Sequence, residues 1–139
     1  MDREPEFIAK HKESLREARE ACLKLARTVV EPGPRGTYSL VLAKANRALE
    51  GTCRQLHHWR GDDSAWLRMG ALYSRAEKLA QQMRMSGNWA GFAELAKLYE
   101  KGMRNIEDLA TRPTGRSIEK FIDPGDISEW FKLPSRWVN

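Results

Sequence analysis

Apolar residues recur along this chain at steps of three and four rather than two, so the pattern predicts α-helices and no sheet. A first helix is expected from about Pro5 to Val30. Ile8, Leu15, Cys22 and Val29 stand seven apart, and His11, Ala18 and Leu25 fill the positions between. This is a narrow heptad-like seam on a charged rod, with Glu13, Glu17 and Glu20 at pairing distance from Arg16, Arg19 and Lys24. So polar a rod needs a partner for its seam, and either the other helices or a second copy of the chain would serve. On the second choice Ile8, Leu15, Leu25 and Val29 form an oligomer seam. The stretch Glu31-Pro-Gly-Pro-Arg-Gly36 ends the helix, because proline lacks a donor and glycine favours turns.

Ser39 is a plausible N-cap for a second helix running to His57, with Leu42, Ala45, Leu49, Thr52 and Leu56 as its inner stripe. Trp59-Arg60-Gly61 should break it. A third helix is expected from Ser64 to Met85, carrying Ala65, Met69, Leu72, Ala76, Leu79 and Met83 inward. Ser86-Gly87-Asn88 reads as a tight reversal, with Asn88 capping a fourth helix that ends near Ala110. Its stripe is Phe92, Ala96, Tyr99, Met103, Ile106 and Ala110. Joined by so short a turn, the last two helices are expected to pair as an antiparallel hairpin. The fold class is therefore all-α: one helical domain over residues 1–110, an antiparallel bundle of three to four helices, followed by an arm over residues 111–139.

The arm is broken by Pro113, Gly115, Pro124, Gly125 and Pro134, yet it holds Phe121, Ile122, Ile127, Trp130, Phe131 and Trp137. Solvated disorder favours the opposite composition. Either these groups latch onto the helices or they dock on a larger protein partner.

Composition narrows the function. The 139 residues suffice for one domain, and 31% charged residues with no run of about 18 apolar ones leaves no membrane span. The charged opening MDREPEFIAKHKE lacks the apolar centre of a secretory leader, so a cytoplasmic location is expected. No Walker loop, GxSxG, HExxH or paired CxxC motif occurs, which argues against an enzyme and against a cofactor. Cys22 and Cys53 suit buried thiols in a reducing compartment. Cys53 and His57, four apart with His58 adjacent, are geometrically possible zinc ligands, but no further ligand has a matching spacing, so no metal is expected. Methionines on the inner stripes fill a core more readily than they line a binding surface. Trp66 and Trp89 sit at helix starts, either stapling them or lining a subunit contact.

The net charge of +5 is concentrated: residues 37–61 hold four basic groups and one acidic. At 100° per residue Lys44, Arg47, Arg54 and His58 share the face opposite the apolar stripe, a row about 20 Å long that Trp59 and Arg60 extend. Such a row is either a solvated face or a surface for phosphates, with Arg forks on the oxygens and Trp or His planes for stacking. Double-stranded DNA is the partner expected on the second reading.

Residues 65–117 add a resemblance. Leu95, Ala96, Tyr99 and Ile106, followed by Pro113-Thr-Gly-Arg116, resemble the C-terminal halves of tailed-phage terminase small subunits. The resemblance implies a ring-forming helical homo-oligomer that recognises DNA and recruits the packaging motor through its C-terminal segment, in the cytoplasm of a bacterial host. Residues 1–60 contain no helix-turn-helix of the kind many such subunits carry, since the Glu31–Thr37 connection is too long and proline-rich. The functional expectation is a non-enzymatic, oligomeric, nucleic-acid-binding adaptor. The alternative is a small phage-encoded protein-binding module that modulates a host or phage complex, favoured by the aromatic arm and five tryptophans.

Overall fold

Proline and glycine set the helix ends, though not always where the pattern places them. The computed structural model describes residues 6–60 and 64–111, apart from the side chains of residues 59, 60, 64–66, 105 and 107–111. Four helices follow in order: α1 (Glu6–Arg27), α2 (Arg35–Arg60), α3 (Ser64–Ser86) and α4 (Phe92–Thr111), the last preceded by a single 3-10 turn, Trp89–Gly91. No strand occurs among the described residues, so the all-α expectation holds. The arm, with Phe121, Ile122, Ile127, Trp130, Phe131 and Trp137, lies outside them.

Helix α1 stops before Val30 because the chain tightens into three-residue turns. Thr28, Val29 and Val30 donate to the carbonyls of Leu25, Ala26 and Arg27. Val29 consequently leaves the seam and is 59% exposed, a correction to its assignment there. Helix α2 begins four residues earlier than Ser39. Pro34 enters with its φ already suited to a helix and its carbonyl accepts the Tyr38 N–H at 3.1 Å, so the first turn starts from the proline. Ser39 is buried inside the helix instead. At the other end α2 continues through Trp59 and Arg60, which therefore belong to its last turn and not to a loop.

The α3–α4 connection follows the sequence closely. Gly87 takes a φ of 77°, and the Asn88 N–H reaches back to the Met83 carbonyl at 2.8 Å while Gly87 N–H bonds Arg84. This left-handed helix stop needs a residue without a Cβ. The Asn88 carboxamide then accepts the Gly91 N–H at 3.2 Å, capping the next turn.

The expected hairpin does not form as a close pair. Helix α1 packs against both α2 and α4, and α2 packs against α3, whereas the α3 and α4 backbones scarcely approach each other. Side-chain size explains the order. Ala18, Ala21 and Cys22 let α1 sit close to its neighbours, and Gly70 lets α3 approach Cys53 of α2. Between α3 and α4 stand two tyrosines, Tyr73 and Tyr99, stacked at 6.2 Å with nearly parallel rings. These aromatics hold the two helices apart across the core.

The seam of α1 is thus filled within one chain. Ile8, Leu15 and Leu25 are buried in the common core, so they give no argument for self-association. Arg19 also leaves its own helix, donating from Nε to Glu100 of α4 at 2.8 Å, while Arg16 pairs with Glu13 and Glu20.

Candidate functional site

Helix α2 has two chemically opposite sides. Leu42, Ala45, Leu49, Cys53 and Leu56 are buried, and Lys44, Arg47, Arg54 and His58 are exposed on the far side. The row therefore exists as an outward face. Trp59 and Arg60 continue it only as backbone positions, since their side chains lie outside the description.

Tertiary packing then divides the row. The groove between α2 and α3 contains two hollows of about 500 and 480 Å³. The first is lined by Arg54, Arg75 and Lys78 with Glu50, and the second by Arg35, Arg47 and Arg84 with Glu77. Six cationic side chains thus face two carboxylates. Lys44 and His58 are exposed but line neither hollow.

Four of these cations were not legible as site residues: Arg35, Arg75, Lys78 and Arg84. Residues 62–87 hold four basic and three acidic groups, so their count raises no flag. Arg75 and Arg84 are nine residues apart, about 180° around an isolated helix, so no wheel groups them. Long side chains reaching into one groove from its opposite edges do. The sequence pattern puts Arg35 in the connection after the first helix, whereas the structure makes it the first residue of α2, from which it lines the groove.

Arg35 is held firmly. Its Nε–H donates to Thr28 Oγ1 at 2.9 Å, an Nη2 hydrogen to the Thr28 carbonyl at 3.3 Å, and the guanidinium lies 4.2 Å from the Trp89 ring centroid. Trp89 itself stacks on Phe92 at 5.9 Å. The tryptophan at the start of α4 is thereby a staple that also carries an arginine. The Trp66 side chain lies outside the description.

The interior offers no reactive centre among the described residues. Cys22 and Cys53 are free and buried, and burial pushes both thiols upward, away from the reactive thiolate. No three His, Cys, Asp or Glu side chains converge as metal ligands among the described residues. What the interior does hold is a polar chain. His11 Nδ1 is 2.6 Å from Thr52 Oγ1, whose own proton goes to the carbonyl of Ala48 or Leu49. Tyr99 donates to Asn46 Oδ1 at 2.6 Å, and Asn46 Nδ2 donates to Glu77 at 3.0 Å. Burial lowers the His11 pKa to about 3, so the imidazole is neutral at pH 7. The Tyr73 hydroxyl is buried without a hydrogen-bond partner.

No protein-family model, curated protein or solved structure matches the chain. The resemblance to terminase small subunits therefore rests on its own residues. Of these, Leu95, Ala96, Tyr99 and Ile106 are buried positions of α4 that core packing already accounts for, and residues 113–116 lie outside the description. No helix among the described residues is long and apolar enough to cross a membrane.

Proposed function

We propose that this chain is a non-enzymatic nucleic-acid-binding adaptor whose α2–α3 groove meets the phosphates of double-stranded DNA. The observation that carries the reading is the convergence of six cations from two helices on one groove, against two carboxylates. Sites that bind phosphate chains need positive charge spread along a line, and arginine forks supply it with directionality. Five of the six are arginines, which suits bidentate contact to phosphate oxygens.

The test is duplex binding across a salt series. Each phosphate contact contributes about one unit to the log–log slope of affinity against salt. Arg47→Gln with Arg54→Gln should lower that slope by about 2 while leaving the helical spectrum unchanged. Failure to bind any duplex at low salt removes the reading.

A protein-binding role has its own observation. Val29, Val30 and Met85 are exposed at one end of the bundle, with Leu40 one turn into α2 at the same end. If DNA binding fails, that apolar end is the surface to probe with partner proteins.

A further inference from the structure

The two hollows differ in how their charges are held, and the difference assigns a ligand to one of them. Among the described residues Arg35 gives up side-chain freedom to neutral partners alone: the Thr28 hydroxyl, the Thr28 carbonyl and the Trp89 ring. A guanidinium fixed without a counter-ion is preorganised to receive an anion, because its ordering is complete before the ligand arrives. Both Nη1 hydrogens and the second Nη2 hydrogen remain for a ligand. Arg47 and Arg84 complete the hollow, and among the described residues no carboxylate forms an ion pair with either. Glu77, its one acidic group, already accepts from Asn46 on the interior side. Three guanidiniums against one carboxylate leave an excess of two positive charges.

A phosphodiester carries one negative charge, whereas a phosphomonoester carries close to two near neutral pH, its second pKa being about 6. This hollow sits where α2 begins and α3 ends, so for a strand lying between the two helices it is the last cationic site along the groove. We infer that the hollow formed by Arg35, Arg47 and Arg84 binds a phosphomonoester, the terminal phosphate of a nucleic-acid strand laid along the groove. The inference rests on the DNA-binding reading above and adds a preference for one kind of strand end.

The experiment compares short duplexes whose strands end in phosphate with the same duplexes ending in hydroxyl, using the full chain. Terminal phosphate should tighten binding about tenfold at neutral pH, the equivalent of one charge-assisted hydrogen bond. The advantage should shrink below pH 6 as the monoester takes up a proton. Arg84→Gln should abolish it without abolishing binding of hydroxyl-ended DNA, and Arg54→Gln, in the other hollow, should preserve it. Arg84→Lys, which keeps the charge but loses the fork, should retain part of it. Equal affinity for the two kinds of end overturns this inference and leaves the DNA reading standing. Absence of binding to either overturns both. A mononucleotide that binds as tightly as the phosphorylated duplex overturns the strand-end assignment, because the hollow then serves a free nucleotide.

Discussion

The interfaces that α1 makes and the groove between α2 and α3 are built from the same kind of helix, yet they treat polar groups in opposite ways. Around α1, His11, Ser14 and Thr52 are buried, and the hydrogen bonds of His11 and Thr52 are met inside the bundle. In the α2–α3 groove Arg47 and Arg54 are exposed on the outer face of α2, and Arg35 is steadied by the Thr28 hydroxyl and carbonyl and the Trp89 ring. A buried polar group needs a partner within the fold, since desolvation otherwise costs about 1–3 kcal/mol. A charge on a groove rim has no such demand and is available for a ligand. Stability should therefore respond to changes on the α1 side and binding to changes in the groove.

The largest expected break is on the α1 side. Leu15 is fully buried and lies beside Gly102, where an added Cβ would come within 2.9 Å of its Cδ2. Leu15→Ala should destabilise by about 2–5 kcal/mol, read as a fall in denaturation midpoint. A loss under about 1 kcal/mol would show that α1 is not part of the core.

Acid should come next. The His11 pKa is lowered from 6.5 to about 3 by burial, so the unfolded chain binds a proton that the folded one refuses. Stability is complete above pH 6.5 and declines as pH falls toward 3, by about 1.4 kcal/mol per unit. Between pH 7 and 5 that amounts to about 2 kcal/mol. His11→Gln should remove this slope, and melting curves that shift in parallel for both proteins would contradict the buried neutral imidazole.

The two stacked tyrosines sharpen the comparison within the core. Tyr73→Phe removes a hydroxyl with no partner and should be neutral or stabilising by up to about 1 kcal/mol. Tyr99→Phe removes the donor to Asn46 and should cost about 1–2 kcal/mol. Equal effects would mean that hydrogen bonding does not distinguish them.

The smallest stability effect belongs to the groove. Arg47→Gln and Arg54→Gln should each change stability by less than about 0.5 kcal/mol, because both side chains are exposed. A larger loss would place these arginines in the structural framework and away from the ligand surface.

Helix number and type, and most of the inward positions, could be read from the chain alone. Steps of three and four identify Leu42, Leu49, Met69, Leu72, Phe92 and Tyr99 as inward because a helix has one geometry wherever it occurs. The Gly87–Asn88 stop was equally legible, since only local backbone chemistry decides it. Exposure of Arg47 and Arg54 followed from the same angles. Neighbours did not follow. Periodicity says which face is buried but not against which helix, so the expected α3–α4 pairing yielded to α1 packing on α2 and α4. Only the tertiary structure decided that small residues draw α1 close while Tyr73 and Tyr99 hold α3 and α4 apart. It alone brought Arg35, Arg75, Lys78 and Arg84 to the groove with Arg47 and Arg54, because a groove belongs to two helices and no single helical wheel contains it.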